Sequence, residues 1–280
     1  TCGGMGCCSS SYERSVLHTT LLTFVESGSR KGLKALLKKA KQPVDARIGV
    51  LETTLLCAAC WYGQLECVKL LVEKFGADLE APGSYMMENM PIHSCTPLFL
   101  ACRQQHLPVV EYLIEKGADV NSTACCRGTP LIVSAMRSNT RIVSLLLAKK
   151  ADPNVTSQAQ GVSALYGAAQ ENKVENVRLL FQGGADVNIQ EPLRHWTPLH
   201  KAVSMGHIEM IRCLVEELHC EVDIPALDGH TPLSLGAALG RPSQCLIPLL
   251  RAGADRTIAI KAARDSHRDT LASLLSEYQP

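Results

Sequence analysis

A unit of 33 or 34 residues recurs along most of this 280-residue chain, and this internal repeat limits the folds that the chain can adopt. In its clearest copy, at residues 196–211, Thr197 is placed to cap a helix and Pro198 suits the first turn of that helix. Gly206 then permits a turn into a second helix, in which apolar residues recur at helical spacing. One such helix pair cannot bury its apolar face alone, so the repeat predicts a solenoid of stacked pairs.

Six full copies of the unit are predicted, each with a Thr or Ser at the start of its first helix. These anchors are Thr54, Thr96, Thr129, Ser163, Thr197 and Thr231. Degenerate units at about 17–48 and about 257–280 are expected to cap the two ends, since terminal repeats need a polar outer face. The sequence therefore predicts one repeat domain over 17–280, with full units at about 49–256, after a flexible tail at 1–16.

The unit resembles the ankyrin repeat. The resemblance is carried by Thr197–His200, by the Gly-His pair at Gly206–His207, and by the Gly-Ala-Asp turns that end several units. It implies an all-α ankyrin-repeat solenoid, in which helix-turn-helix units are joined by β-hairpin fingers. In that family, His at the positions of His106, His200 and His207 forms hydrogen bonds between turns and repeats, which is a structural role.

The resemblance also indicates which residues line the concave surface of the array, namely the residue before each Thr anchor and the two residues before each Gly-His turn. In this sequence the set includes Trp61, Tyr62, Arg103, Gln104, Met136, Arg137, Met205 and Trp196. Both tryptophans of the chain fall in it, and Trp, Tyr and Arg dominate binding hot spots. We therefore expect these residues to bind a partner; the alternative is that Trp61 and Trp196 shield a neighbouring turn.

The net charge of +1, from 28 basic and 27 acidic residues, gives no reason to expect a nucleic acid as the partner. Any electrostatic preference has to be local. Arg103, Arg127 and Arg137 would place positive charge on the predicted concave face and favour an acidic or carboxylate-bearing partner segment. Glu26 and Glu171 lie on the same predicted face and oppose that preference.

The interval between the first two anchors is longer than the others because of an insertion, whose residues 81–95 are expected to form an elongated finger. Met86 and Met87 lie in this finger. Since methionine is flexible and polarisable, they are predicted to contribute to an adaptable binding surface. The alternative is that they fold back onto their own finger.

The N-terminal segment contains a lipidation motif. Met5 is followed by Gly6, Cys7 and Cys8, which fits N-myristoylation with two cysteines available for palmitoylation, provided that Met5 is the initiator. The first unit carries several Lys and Arg residues on its outer face. A basic patch beside an acylated tail would supply the second signal that stable membrane anchoring requires, whereas the alternative is an ordinary solvated face.

No motif typical of an enzyme, a metal site or a cofactor site is found in its required context, so a non-enzymatic protein is predicted. Thirteen cysteines, an odd number, favour free thiols in a reducing compartment. Cys57 and Cys60 form a Cys-x-x-Cys pair, but no second pair has zinc spacing, and we expect both to pack in the core. No apolar run reaches the roughly 18 residues of a membrane span.

A narrower resemblance involves residues 76–84, the insertion and Thr96–Leu98, which look like the early repeats of the Fem family of ubiquitin-ligase substrate receptors. It implies a concave surface that grips short peptide tails, often C-terminal degrons, for ubiquitin transfer. That family also has a helical elongin- and cullin-binding box, which we do not find before Pro280. Three interpretations fit this pattern: the chain is truncated, it acts as an inhibitor or adaptor, or it shares only the repeat with that family.

Taken together, these features predict a monomeric intracellular scaffold or adaptor, cytoplasmic, nuclear or both, that binds a protein or peptide through its concave face. It is expected to need no cofactor and no metal. The first alternative is the substrate-recognition subunit of a ubiquitin ligase. The second is a membrane-tethered regulator that is acylated near Gly6.

Overall fold

Paired helices joined by short turns make up most of the protein. A computed structural model describes residues 6–40, 43–49, 51–87, 90–123 and 128–278. The chain forms two compact units, residues 1–130 and 131–280. We refer to them as unit 1 and unit 2.

Unit 1 contains the predicted first repeats and the insertion. Its helices are α1 (Gly6–Glu26), α2 (Arg30–Ala40), α3 (Leu55–Trp61), α4 (Leu65–Phe75), α5 (Pro97–Arg103) and α6 (Leu107–Glu115), and its strands are β1 (Gly83–Met87) and β2 (Met90–Cys95). Helix α1 starts at Gly6 and includes residues 6–16 of the predicted tail, whose flexibility stays a prediction. Its apolar residues Leu21 and Val25 are buried, which anchors the C-terminal half of this helix.

Unit 2 holds the remaining repeats. Its helices are α7 (Pro130–Ala135), α8 (Thr140–Ala148), α9 (Ala164–Gln170), α10 (Val174–Gln182), α11 (Pro198–Met205), α12 (Ile208–Arg212), α13 (Pro232–Leu239), α14 (Ser243–Arg251), α15 (Arg256–Asp265) and α16 (Asp269–Glu277). Helix α12 continues into a π-helical turn at Cys213–Glu217. The helix pairs fall where the repeats predict them, whereas the extent of a single domain over 17–280 stays a prediction.

The anchor residues act as the predicted helix caps. The Thr197 Oγ1 atom accepts a hydrogen bond from the backbone N–H of His200 at 3.3 Å, and Pro198 occupies the first turn of α11. Helix α11 ends at Gly206, whose φ of 77° is left-handed and suits glycine. Thr54, Thr96, Ser163 and Thr231 cap their helices through the same contact. These caps fix where each first helix begins.

Small residues allow the first helices of neighbouring repeats to approach closely. Ala202 and Ala237 are fully buried on α11 and α13. A Cβ atom added to Gly236 would lie 2.6 Å from Leu246 Cδ2 and 2.8 Å from Val203 Cγ1, so no side chain fits there without a shift. The second helices contribute larger apolar residues, such as Ile211, and complete the core.

Hydrogen bonds from the turns connect successive repeats. In unit 1, the side chains of Gln64 and His106 bond to the carbonyls of Glu26 at 2.9 Å and Trp61 at 3.0 Å. In unit 2, His207 Nε2 bonds to the Gln170 carbonyl at 3.1 Å in the same way. Because the first helices end in carbonyls that lack a partner within the helix, these contacts supply the missing hydrogen bonds. The structural role predicted for His106 and His207 is confirmed.

The fingers between repeats differ in length. Among the described residues, named strands occur only in the insertion, where β1 and β2 pair antiparallel with Tyr85 opposite Ile92. Shorter fingers are held by a few backbone hydrogen bonds instead, for example from Glu191 N to Trp196 O and from His195 N to Glu191 O, both at 3.0 Å. These connections are too short to pair two strands. The predicted elongated finger at 81–95 is confirmed.

The described cysteines behave as core residues. Cys57, Cys60, Cys67, Cys213, Cys220 and Cys245 are buried free thiols, and Cys95 and Cys102 are buried as well. Burial raises the pKa of the Cys57 thiol to about 12, so it stays protonated at neutral pH. No group of His, Cys, Asp and Glu that could hold a metal ion occurs in the described part of the chain. The packing role predicted for Cys57 and Cys60 agrees with this arrangement.

Candidate functional site

The finger that precedes α11 carries Trp196 and is built around one buried carboxylate. Glu191 is only 6% exposed. Its two oxygens accept hydrogen bonds from the backbone N–H groups of Leu193 and Arg194, both at 2.8 Å, and of Trp196 at 3.2 Å. A carboxylate that accepts several backbone N–H bonds holds a turn in one conformation. The finger therefore presents the side chains of Leu193, Arg194 and Trp196 in a defined arrangement.

Contacts to the next finger fix this arrangement further. The Gln190 side chain donates to the carbonyls of His195 at 2.7 Å and Pro225 at 3.0 Å. The backbone N–H of Leu227 donates to the Arg194 carbonyl at 2.8 Å. These bonds are made by main-chain atoms and by the Gln190 side chain. The side chains of Arg194 and Leu227 take no part in them and are exposed.

Trp196 is half-buried, and its ring has a cation on one side. The Arg194 guanidinium lies 5.0 Å from the ring centroid, a distance typical of a cation–π contact, and the His200 ring stacks at 6.4 Å. The indole Nε1–H is buried and has no hydrogen-bond partner among the described residues. An unpaired buried donor costs about 1–3 kcal/mol. Shielding a turn therefore does not by itself account for a tryptophan at this position.

Two depressions flank Trp196. The first has a volume of about 260 Å³ and is lined by Tyr166, Glu191, Arg194, Trp196 and Lys201, with Gln160, Val162, Gln170 and Leu193 around them. The second has a volume of about 300 Å³ and is lined by Leu193, Arg194, Trp196, Leu227 and Asp228. The residues shared by both are Leu193, Arg194 and Trp196. A ligand that crosses this finger would contact all three.

Exposed apolar side chains lie beside Trp196. Leu193 is 68% exposed and Leu227 is 67% exposed, whereas most of the other described leucines are buried. Full burial of a leucine side chain stabilises a protein by about 1.5–3 kcal/mol. The two exposed leucines do not contribute this full stabilisation. Clustered exposed apolar residues on a rigid surface mark an interaction site more often than scattered ones do.

In unit 1, the predicted site residues Trp61 and Tyr62 lie in a different environment. Trp61 stacks on Tyr85 of strand β1, with the ring centroids 4.5 Å apart and the planes 21° apart. Burial, followed by the negative charge of Glu26, raises the pKa of Tyr62. Tyr62 remains 38% exposed. The insertion thus covers one face of Trp61, as in the alternative interpretation that this tryptophan shields a neighbouring segment.

The other predicted helix residues lie at the ends of first helices. Arg103 is the last residue of α5, and Gln104 follows it, both half-buried. Met136 packs against α9 at Gly167. A Cβ atom added to that glycine would lie only 2.9 Å from Met136 Cγ. Met205 is 48% exposed at the end of α11.

Arg137 lines a separate depression of about 250 Å³, together with Lys173 and Asn176. The Asn176 side chain donates to the Arg137 carbonyl at 2.6 Å. Of the eight residues named above for the concave face, Trp196 alone lines the two depressions beside it. The predicted cluster of anchors is therefore divided among several places, and Arg127 lies outside the described residues.

Two groups of predicted residues are described only in part. Met86 and Met87 belong to strand β1, and Gly6, Cys7 and Cys8 form the first turn of α1, but their side chains are outside the described part of the structure. Binding by the methionines and acylation of Gly6 stay predictions. Among the described residues, no helix combines the length and the apolar character needed to cross a bilayer.

The repeat pattern does not mark five residues of this site, namely Glu191, Leu193, Arg194, Lys201 and Leu227. Leu193 and Leu227 are apolar residues in fingers, which otherwise consist mainly of turn-forming and polar residues. This contrast is a sequence signal from which an exposed apolar site can be predicted. The burial of Glu191 has no counterpart in the sequence pattern, since it depends on how the finger closes over the carboxylate.

Comparisons with known proteins bear on this site. A family model described as ankyrin repeats in three copies matches residues 98–191 and 165–259, and one for a single ankyrin repeat matches residues 52–84. The chain is similar to the nuclear factor NF-kappa-B p105 subunit of Mus musculus, with 40% identity over 95 residues, which are 34% of this chain and 10% of that protein. It is also similar to protein fem-1 homolog A-like of Mus musculus, with 30% identity over 228 residues, which are 80% of this chain and 34% of that protein.

Among solved structures, the human ASB11 ankyrin repeat domain matches with a TM-score of 0.68 and 25% identity, over 83% of this chain and 96% of that one. The chain spans about a third or less of the curated relatives named above. Both resemblances predicted from the sequence, to the ankyrin repeat and to the Fem family, are confirmed.

Proposed function

Because the chain belongs to the ankyrin-repeat family, whose repeats form protein-binding modules that are typically non-catalytic, we propose that it is a non-enzymatic scaffold or adaptor. It binds another protein through the face on which Trp196 lies. The observation that supports this most directly is the pair of depressions beside Trp196, with Leu193 and Leu227 exposed around them. Both depressions lie on fingers held by main-chain hydrogen bonds, so binding requires little ordering of the surface.

Affinity capture from cell lysate followed by mass spectrometry tests this proposal. The native chain is compared with Trp196→Ala and with Phe181→Ala, a control that removes a 41%-exposed aromatic residue from α10 of the same unit. We expect partners that the native chain and the control retain and that the Trp196 variant loses. Recovery of the same proteins by all three baits would show that binding occurs elsewhere on the chain.

A second candidate is a substrate-recognition subunit of a ubiquitin ligase. The similarity to fem-1 homolog A-like over 80% of this chain favours it, as does the match to the ASB11 ankyrin repeat domain. In this role the Trp196 face would hold the substrate, and another surface or segment would contact the ligase. Elongin and cullin proteins recovered by the native chain and by both variants would support this role, and their absence from all captures would count against it.

We further propose that the protein acts inside the cell, in the cytoplasm, the nucleus or both. The observation behind this is a set of buried free thiols, which persist in reducing compartments: Cys57, Cys60, Cys67, Cys213, Cys220 and Cys245. Fractionation of cells that produce the tagged chain provides the measurement. Recovery from the culture medium with oxidised cysteines would contradict the proposal.

A further inference from the structure

We propose that the two depressions beside Trp196 bind an extended internal segment of the partner that carries an Asp or Glu side chain and, two to four residues away, a large apolar side chain. This inference rests on the proposed function and specifies the chemistry of the ligand. We call the depression lined by Tyr166 and Lys201 the polar depression and the one lined by Leu227 the apolar depression.

The polar depression has an excess of available positive charge. Its one acidic residue, Glu191, directs its two oxygens to three backbone N–H groups of its own finger. Arg194 is exposed and Lys201 is half-buried, and each contributes a cation to the lining. A carboxylate placed here would meet two cations, whereas a Lys or Arg side chain would meet repulsion.

Tyr166 adds a hydrogen-bond donor to the polar depression. Burial, followed by the charge of Glu191, raises the pKa of the Tyr166 hydroxyl to about 12, while Arg194 acts in the opposite direction. The hydroxyl therefore stays protonated at neutral pH. It can donate to a ligand carboxylate beside the two cations.

The apolar depression has the opposite character. Leu193 and Leu227, both about two-thirds exposed, line it together with Trp196. Its two charged residues, Arg194 and Asp228, have opposite signs, so it lacks the net positive charge of the polar depression. Asp228 lines this depression but not the polar one, and it disfavours a ligand carboxylate here. The charge pattern thus assigns the acidic side chain to the polar depression and the apolar side chain to the apolar depression.

The two depressions follow one another across three fingers. The polar depression extends back to Gln160 and Val162, and the apolar depression extends forward to Asp228. Leu193, Arg194 and Trp196 line both depressions and form the ridge between them. An extended chain advances about 3.3 Å per residue, so side chains two to four residues apart reach both sides of the ridge. Because the path continues past Trp196 in both directions, the ligand is an internal segment.

The test uses a random library of dodecapeptides that are acetylated at the N-terminus and amidated at the C-terminus, so that the library itself offers no terminal carboxylate. The purified full chain is screened against it, and selected peptides are measured by fluorescence anisotropy. We expect enrichment of Asp or Glu with Leu, Ile, Met, Phe or Trp two to four residues away. Enrichment of basic peptides, or of none, would overturn the proposal.

Charge reversal makes the test sharper. Arg194→Glu combined with Lys201→Glu is expected to weaken binding of the selected acidic peptides at least tenfold and to favour Lys- or Arg-containing peptides instead. Lys149→Glu reverses an exposed charge at the end of α8 and serves as the matched control, with unchanged binding. Arg194→Ala with Lys201→Ala is measured alongside, in case the reversed charges disturb the finger. Equal affinity in the native chain and both double variants would refute the assigned roles.

Two further outcomes separate this inference from the proposed function. If the same peptides bind at least tenfold more tightly with a free C-terminus, the carboxylate comes from a chain end, and the internal segment is wrong. If Trp196→Ala loses the captured partner while the charge variants retain it, the result supports the Trp196 face as the binding face and refutes the acidic ligand.

Discussion

The two tryptophans occupy contrasting environments. In unit 1, Trp61 has one face covered by Tyr85 of the insertion, and the acidic Glu26 lies near its neighbour Tyr62. In unit 2, Trp196 has the Arg194 cation beside its ring and open depressions on both sides. Identical side chains therefore lie in different surroundings, because a long insertion packs on one of them and a short finger leaves the other accessible.

The largest expected effect concerns the finger that carries Trp196. Glu191→Ala removes the acceptor of three backbone N–H groups and should lower the free energy of unfolding by about 3 kcal/mol. Glu191→Gln keeps one oxygen acceptor and should cost about half as much. Urea denaturation followed by circular dichroism measures both values, with Glu209→Ala, an exposed position on α12, as the control. A Glu191→Ala protein as stable as the control would show that the carboxylate does not hold this finger.

The next prediction concerns Trp61. Trp61→Ala removes the ring that stacks on Tyr85 and should destabilise unit 1 by about 2 kcal/mol, less than for a fully buried tryptophan because Trp61 is only half-buried. Trp61→Phe retains an aromatic contact and should cost less than half of that. Hydrogen exchange of the β1 and β2 amides reports the effect locally. Unchanged exchange in Trp61→Ala would show that the Trp61 ring does not stabilise the insertion, and the two tryptophans would then not differ in this respect.

Trp196→Ala is expected to act on binding instead of stability. Loss of this ring should weaken binding of the partner by about 2 kcal/mol, or roughly thirtyfold in Kd. The free energy of unfolding should change little, since the variant also removes an indole N–H that lacks a hydrogen-bond partner. Titration calorimetry with the captured partner and urea denaturation give the two numbers. A large loss of stability with unchanged affinity would make Trp196 a packing residue like Trp61.

The sequence pattern was sufficient for the fold, because each repeat carries its own local signals. The cap at Thr197, the turn at Gly206 and the bonds from His106 and His207 depend on residues whose positions recur in every copy. The helical residues 6–16 escaped prediction because they lack that periodicity. Regular helices are predictable here for the same reason that the solenoid is stable, namely that neighbouring units repeat the same contacts.

The candidate site was predictable only in part. Trp196 could be selected from its place before an anchor, but the depressions around it depend on how Glu191 closes its finger and on where Leu193, Arg194 and Leu227 then point. The predicted role of Arg137 was drawn from its place in the repeat, whereas its neighbours in the structure are Lys173 and Asn176. Side-chain direction in the fingers is set by tertiary contacts that one sequence does not reveal.

The smallest expected effect is a pH dependence next to Trp196. His200 is fully buried. Its Nδ1 atom accepts from the backbone N–H of Thr197 at 3.2 Å, and its Nε2–H donates to the His230 carbonyl at 3.0 Å. Burial lowers the pKa of His200 below its usual 6.5, although the His230 carbonyl and Asp228 oppose this shift. The unfolded chain therefore binds the proton more readily than the folded protein does.

Stability should accordingly be complete above about pH 6.5 and decrease as the pH falls below that value, by at most about 1.4 kcal/mol per pH unit. His200→Asn removes the titrating ring and should flatten this part of the curve. In a Trp61→Phe background Trp196 is the only tryptophan, so its fluorescence reports unfolding beside His200 at each pH. Stability that falls equally in His200→Asn would assign the acid sensitivity to another group. It would also leave the neutral, hydrogen-bonded His200 as a purely structural support for the α11 cap beneath Trp196.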